Sequence, residues 1–333
     1  MLDVNVSING VILYCDDSVL GINIGRGYSI VKTYIDNLPY KDRITDGKGQ
    51  ISISYFNSIL TDENGQYFMC LKKDIVYQIH NPFKGPGVYT EKDTFCDDQV
   101  QQYNHAETDY LHMIFSLLRL FKEGNIGVKQ LFLDHTFSLG ILKHNLKHTS
   151  DTVTRNIVDE RVFSLTADEV CSCNHFLSDY SGSAYLLLKP CINEFIQGLA
   201  QVDIATGFEQ YTTALEMTLL GHNQQGKKEV LSKRVAVMLE TTPADIDNLY
   251  KKMKEFYRYR SESLHEGKDQ NISDAELIEM ESIVRRVLKK CLEQCKVELT
   301  ANAAVTWQEI KNKIIDELKN KVIAEAAAGR FVN

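Results

Sequence analysis

The sequence lacks any apolar run that approaches the ~18 residues of a membrane-spanning helix, so we expect no membrane span. Its first residues also lack the basic region and long apolar stretch of a secretory signal. The eight cysteines are scattered along the chain instead of being grouped as in small secreted scaffolds. Together these features predict reduced thiols and a cytoplasmic protein.

The chain also lacks an excess of positive charge. Its net charge is -8 and its pI is about 5.6, which excludes the strongly basic class of proteins that coat nucleic acids. One stretch differs, because residues 251–260 carry five basic side chains and a single acid, Glu255. We interpret this stretch as a local basic surface on an acidic protein.

Motifs of common hydrolase and cofactor sites are missing. The sequence has no Gly-x-Ser-x-Gly elbow. Gly21, Gly25 and Gly27 have neither the spacing of a dinucleotide fingerprint nor the Lys-Ser/Thr pair of a P-loop. We interpret them as turn glycines, and the sequence predicts no cofactor.

Two groups of potential metal ligands have unfavourable spacings. Cys171, Cys173 and His175 are closer together than the ligands of a zinc ribbon, and no second cysteine pair is nearby. His144 and His148 are four residues apart but lack the glutamate of a His-Glu-x-x-His helix. The sequence therefore predicts no metal site.

Residues 1–95 have the pattern of a β-rich N-terminal domain. Val4, Val6 and Ile8 alternate with polar residues, and Asn9-Gly10 is a turn signal before a second apolar run at 11–14. Further strands are predicted at 28–35, 51–55 and 67–77, with turns at 46–49 and 64–65. The pattern predicts an antiparallel sheet or a small barrel.

Residues 96–200 form a mixed α/β connecting region after a Pro- and Gly-containing linker at 81–87. An apolar face predicts a helix at 110–122, and residues 128–132 are a candidate strand. Residues 191–199 have a helical pattern. The pattern of this region does not define a fold.

Residues 201–298 have the pattern of a four-helix bundle, and residues 299–333 that of a C-terminal helix, so the predicted fold class is α+β. Capping boxes predict helix starts after Ser273, with Glu276, and after Thr306, with Glu309. The apolar stripe of the last helix has two possible partners, the bundle itself or a second subunit.

The third helix of the bundle places Arg260 on its apolar side, because Arg260 follows Met253 by seven residues. His265 follows five residues later, about 140° around an unbroken helix. The two side chains converge only if the helix ends between residues 261 and 264, or if a second subunit supplies one of them. The alternative is a structural arginine beside a surface histidine.

The block from Phe208 to Leu288 resembles the HEPN superfamily, and within it the Apea-like branch of abortive-infection systems. The resemblance is carried by residues 214–216 (Ala-Leu-Glu) with 219–220, by 231–236 (Leu-Ser-Lys-Arg-Val-Ala), and by 259–267 (Tyr-Arg-Ser-Glu-Ser-Leu-His-Glu-Gly). The family pattern places Gly directly after His, whereas Glu266 separates the two here. The spacing of Arg260 and His265 fits the pattern.

The resemblance implies a metal-independent endoribonuclease of anti-phage defence that leaves 2′,3′-cyclic phosphate ends. Arg260 would bind the scissile phosphate, and His265 would act as general base or acid. Ser261, Glu216 and Tyr257 would support the site, and Lys254 and Arg258 of the basic stretch would bind substrate. The implied partners are RNA, a second copy of the chain in a homodimer, and a phage-derived trigger or regulatory partner at the N-terminal region.

A second hypothesis is a non-catalytic HEPN scaffold, a module for dimerisation or for binding nucleotides or RNA. In that case Arg260 and His265 are structural, and Glu216 pairs with Arg260 across the bundle. The two hypotheses differ in whether Arg260 and His265 meet in an open, basic cleft or whether Glu216 alone engages Arg260.

Overall fold

The computed structural model of the chain describes residues 1–80, 97–139, 142–150, 161–222, 224–266 and 272–331. The chain divides into two compact units, Met1–Ser178 and Asp179–Asn333. The first unit contains an antiparallel sheet and the described part of the second consists of helices and their connections. The predicted α+β class is therefore confirmed.

Seven strands of the described residues form one sheet in the first unit, with the order β2-β4-β1-β6-β7; β3 pairs with β4, and β5 pairs with β1. The strands are β1 (Leu2–Leu13), β2 (Ser29–Tyr34), β3 (Leu60–Asp62), β4 (Gly65–Ile79), β5 (Gly127–Val128), β6 (Leu131–Leu139) and β7 (Leu142–Ser150). All pairings are antiparallel. The predicted strands at 28–35 and 67–77 are confirmed as β2 and β4.

Ten helices accompany the sheet within the described ranges. They are α1 (Lys41–Ile44), α2 (Ile53–Phe56), α3 (Asp97–Phe121), α4 (Ala167–Tyr180), α5 (Ser183–Leu199), α6 (Ile204–Leu219), α7 (Lys227–Leu239), α8 (Pro243–Glu266), α9 (Asp274–Ala301) and α10 (Trp307–Ala327). Among the described residues, no helix is long and apolar enough to cross a membrane.

The alternation along β1 divides its side chains between two cores. Val4 packs with Val100 of α3 in one cluster. Val11 packs with Ile44 of α1 and Tyr55 of α2 in the other. Because successive side chains of a strand point to opposite faces, α3 covers one face of the sheet and the segment with α1 and α2 covers the other.

Two predictions for the first domain are wrong. Asn9-Gly10 is not a turn, because β1 runs through it without a break. Glycine is needed there for a close approach: a Cβ on Gly10 would lie 2.8 Å from Cγ1 of Val128. The strand predicted at 51–55 is also absent, since residues 53–56 form α2, in which only Tyr55 is buried.

The predicted domain limits at 95 and 200 do not coincide with the observed division. β6 pairs with β1, and β7 continues the sheet, so both strands belong to the first unit. The succession of helices without intervening strands begins with α4, earlier than expected, and α5 contains both the apolar run at 185–188 and the predicted helix at 191–199. The predicted linker at 81–87 lies outside the described residues.

In the second unit, α6 to α9 correspond to the four predicted helices, and α5 adds a further buried helix. α5 approaches α6 so closely that a Cβ on Gly198 would overlap the ring of Tyr211. Both predicted capping boxes are confirmed, at Ser273 and Thr306. The sequence left open whether the apolar stripe of the last helix packs on the bundle or on a second subunit. In the structure α10 packs on the bundle and buries Ile310 there.

His135 of β6 is fully buried between the sheet and α3. Its Nε2 lies 3.1 Å from Oδ1 of Asn104, and its Nδ1 lies 3.2 Å from the hydroxyl of Tyr77. Burial lowers the pKa of His135 to about 4; His148 lowers it further, whereas Asp134 opposes the change. The buried imidazole is therefore neutral at pH 7.

We expect the free energy of unfolding to fall as the pH drops from about 6.5 towards 4, because only the unfolded state gains the proton in that range. Between about pH 7 and about pH 5, His135 is expected to lower the free energy of unfolding by about 2 kcal/mol. Urea unfolding of the wild type and of His135→Gln, which does not titrate, measures it. Equal pH dependence of the two proteins would contradict the prediction.

Candidate active site

Helix α8 carries Arg260 to the packed side of the second unit. Ile246, Met253 and Phe256 form the buried stripe of α8, and each is at most 3% exposed. Arg260 follows Met253 by seven residues and therefore lies close to the same stripe. Its side chain is 21% exposed, so the guanidinium is partly withdrawn from water and needs partners.

Glu216 of α6 supplies the main partner. Its Oε1 lies 3.2 Å from Nη1 of Arg260, and its side chain is 14% exposed. The ion pair across the bundle that the second hypothesis predicts is therefore present. α6 contributes the carboxylate because Glu216 follows the buried Leu215 at the edge of the helix's apolar face.

Tyr257 and Lys227 complete what we call the Arg260 cluster, which consists of Glu216, Lys227, Tyr257 and Arg260. The Tyr257 hydroxyl donates to Oε1 of Glu216 over 2.9 Å, and Lys227 Nζ lies 3.2 Å from Oε2. Burial, together with the hydrogen bond to Glu216 and its charge, raises the pKa of Tyr257 to about 12. Both oxygens of Glu216 are thus engaged by donors.

The cluster has an excess of positive charge, because two cations, Arg260 and Lys227, share one carboxylate. Nε of Arg260 is buried and has no hydrogen-bond partner among the described residues. A buried N–H without a partner is costly, and such groups in native structures call for an explanation. The guanidinium is therefore held in place by Glu216 without being fully satisfied, which suits a group that also binds an anion.

The position of His265 differs from the single-chain arrangement considered above. α8 does not end between residues 261 and 264 but continues to Glu266. Ser261 and Ser263 are tolerated because serine costs a helix only about half a kcal/mol per residue. Residues 260 and 265 therefore lie about 140° apart on one continuous helix. The side chain of His265 lies outside the described residues.

The other predicted site residues do not join Arg260. Ser261 is exposed. Lys254 donates to the hydroxyl of Tyr250 over 3.2 Å and lies 3.7 Å from Glu229 of α7. Arg258 is half exposed and lies 3.8 Å from Glu255 one turn earlier. These contacts of both cations are with residues outside the cluster, to which the basic stretch contributes Arg260 and Tyr257.

A cleft of about 400 Å³, not predicted from the sequence, adjoins the cluster. It lies between the end of α6, the start of α7 and the first turns of α10, and Glu216 and Lys227 line it together with His222, Gln308 and Lys311. One feature of the sequence indicates an anion-binding role for this cleft. Lys227 and Lys228 open α7 directly after Gly226, where the helix dipole disfavours cations.

The three potential ligands at residues 171–175 lie on α4 and do not converge. Cys173 is buried, whereas Cys171 is exposed with its Sγ 4.0 Å from Nδ1 of His175. Within the part of the chain that the structure describes, no group of three or more His, Cys, Asp and Glu side chains could hold a metal ion.

The chain gives no significant match to any protein-family model, to any curated protein or to any solved structure.

Proposed function

We propose that the chain is a metal-independent endoribonuclease of HEPN type that acts in anti-phage defence, with a composite active site formed by two copies of the chain. The observation that carries the proposal is the Arg260 cluster: a guanidinium positioned by Glu216 and Tyr257, with excess positive charge beside an open cleft. A guanidinium binds phosphate oxygens through its planar fork, which makes it suited to a scissile phosphodiester.

In the proposed mechanism, Arg260 binds a non-bridging oxygen of the phosphate. A general base takes the proton of the ribose 2′-hydroxyl, and the 2′-oxygen attacks phosphorus. A general acid returns a proton to the 5′-oxygen as the bond to phosphorus breaks. The products are a 2′,3′-cyclic phosphate and a 5′-hydroxyl. His265 is assigned to the acid–base role, because an imidazole titrates near neutral pH.

The continuous helix α8 supports the assignment of Arg260 and His265 to different copies. Positions about 140° apart on one helix do not face the same ligand. In a two-fold dimer, the same surface meets itself, so His265 of one copy can lie opposite Arg260 of the other. Glu216 then has a positioning role: it fixes the direction of the guanidinium while the rest of the fork binds phosphate.

One observation favours the second candidate function, the non-catalytic scaffold. Glu216 already compensates one positive charge of the cluster, as expected of a structural ion pair. The scaffold would still use the remaining positive charge to bind a nucleotide or RNA. The two functions differ in whether the bound phosphodiester is cleaved.

The test is the incubation of single-stranded RNA with the wild-type protein in EDTA. We expect cleavage that leaves cyclic phosphate ends, and a loss of at least about 100-fold in Arg260→Ala and in His265→Ala, because each removes charge stabilisation or proton transfer at the reacting phosphate. The ends are identified by their resistance to phosphatase before acid treatment and their sensitivity afterwards.

Arg286→Ala is the matched control, because it removes a half-exposed arginine that pairs with Glu240 over 2.7 Å on the same unit. This variant is expected to cleave like the wild type. Equal cleavage by all variants would assign the activity to another site or a contaminant. Binding without cleavage by a folded wild-type dimer would favour the scaffold.

A further inference from the structure

The cleft beside the Arg260 cluster has cationic walls without matching acids. Lys227 reaches it from α7 and Lys311 from α10, while Glu216, its described acid, is already engaged by Arg260 and Lys227. The imidazole of His222 and the amide of Gln308 add further polar groups to the lining. One N–H of the Gln308 amide donates to Oδ1 of Asn312 over 2.9 Å, which leaves its second N–H for a ligand. Among the described residues, the lining therefore offers more donors and positive charge than its one carboxylate can match.

A third cation lies close to the cleft. Arg234 of α7 is 4% exposed, and its Nη1 donates to the carbonyl oxygen of Leu219 over 2.5 Å. Burial lowers the pKa of Lys311, and the charge of Arg234 adds to this effect, whereas Cys191 opposes it. Asp316 of α10 offsets part of the charge of Arg234. Lys311 itself lies half-buried near another cation, an arrangement that an anion would stabilise.

A purely structural role explains only part of this arrangement. Arg234 satisfies a carbonyl at the C-terminus of α6, where the helix dipole favours a cation. Lys311 makes no comparable contact within the described ranges; the influences on it are its burial, Arg234 and Cys191. Lys227 shares Glu216 with Arg260 and is half exposed. Both lysines thus retain the capacity to bind an anion in the cleft.

We propose that this cleft is a phosphate-binding subsite, in which Lys227 and Lys311 bind the phosphate group and Gln308 and His222 donate to it. The phosphate belongs either to a nucleic-acid strand or to a free nucleotide. A volume of about 400 Å³ is within the range of small-molecule pockets and admits a nucleotide. For a strand, the inference rests on the proposed function: the subsite holds a phosphate next to the one at Arg260.

The single tryptophan of the chain provides a label-free test. Trp307 is the first residue of α10 and precedes Gln308 of the cleft. Tryptophan emission can therefore be followed while inorganic phosphate, adenosine 5′-monophosphate or a single-stranded 2′-deoxy decanucleotide is added. The deoxy strand lacks the attacking 2′-hydroxyl, so its binding is independent of cleavage. We expect saturable changes in emission that weaken as salt is added.

Lys311→Gln and Lys227→Gln are each expected to weaken binding about tenfold, since each removes a charge-assisted hydrogen bond. Lys321→Gln is the matched control on the same helix, because Lys321 is exposed and pairs with Glu317 over 2.7 Å. It should bind like the wild type. Circular dichroism of each variant verifies that it is folded, and either lysine variant alone suffices for the test.

The probes distinguish the sources of the phosphate. Tighter binding of the strand than of the mononucleotide, with loss in the lysine variants, supports a strand subsite. Tighter binding of the mononucleotide than of the strand, again with weaker binding in the lysine variants, supports a nucleotide subsite. Binding that is unchanged in both lysine variants, or no binding of any probe, overturns the inference. A protein that binds the strand through these lysines but does not cut RNA supports the subsite and contradicts the proposed nuclease.

Discussion

Arg260→Ala and His265→Ala proteins, each inactive alone, are expected to regain RNA cleavage when they are mixed. The reason is the continuous helix α8, which places residues 260 and 265 about 140° apart and so on different faces of one chain. In a symmetric dimer with composite sites, a heterodimer of the two variants has one site with both intact residues and one site with neither. Random exchange of subunits then restores about one quarter of the wild-type activity.

The experiment requires exchange of subunits, which native mass spectrometry of differently tagged proteins verifies. Cleavage of single-stranded RNA in EDTA is then measured for each variant and for the mixture. A mixture of Arg260→Ala with the double variant Arg260→Ala/His265→Ala is the control, because none of its dimers contains a complete site. Heterodimers that form without recovery of cleavage would contradict the composite site.

The buried ion pair of the first unit is expected to have the largest effect on stability. Lys73 of β4 and Glu107 of α3 are 3% and 8% exposed, and Lys73 Nζ lies 2.8 Å from Oε2 of Glu107. Tyr28 donates to the same oxygen over 2.5 Å, and its ring centroid lies 4.7 Å from Nζ. Glu107→Gln would leave the ammonium buried without its counter-charge and is expected to cost about 3–5 kcal/mol.

A double-mutant cycle measures the coupling. Urea unfolding of Glu107→Gln, Lys73→Met and the double variant gives three free energies, and we expect the double variant to lose much less than the sum of the two single losses, because it buries no uncompensated charge. Lys72→Met is the control, since it breaks an exposed pair with Asp74 and should cost less than about 1 kcal/mol. A loss below about 1 kcal/mol in Glu107→Gln would contradict the prediction.

Local sequence patterns predicted those elements whose residues carry their own signal. The capping boxes at Ser273 and Thr306 mark helix starts because the cap residue and the glutamate three positions later bind each other's backbone. The apolar spacing of α8 likewise predicted which side of the helix carries Arg260. In the candidate site, the pairing of Glu216 with Arg260 could be predicted from the sequence. The helical spacing places Arg260 on the packed face, where a guanidinium needs a partner from another helix of the bundle.

Patterns failed where a residue's role depends on a distant segment. Asn9-Gly10 has the sequence of a turn, yet Gly10 serves a close approach of β1 to Val128, more than a hundred residues away. Residues 51–55 have the alternating pattern of a strand, yet residues 53–56 form a short helix in which only Tyr55 is buried. In both cases the tertiary contact outweighed the local preference.

The sequence by itself determined the α+β class, the order of helices in the second unit and the placement of Arg260 on the packed face of α8, because these follow from composition, caps and periodicity. Only the tertiary structure decided that β6 pairs with β1, and that Lys227 and Lys311 line one cleft beside Glu216. The physical reason is the same for both: strand pairing and clefts bring together residues far apart in the chain, and no local pattern specifies the partner.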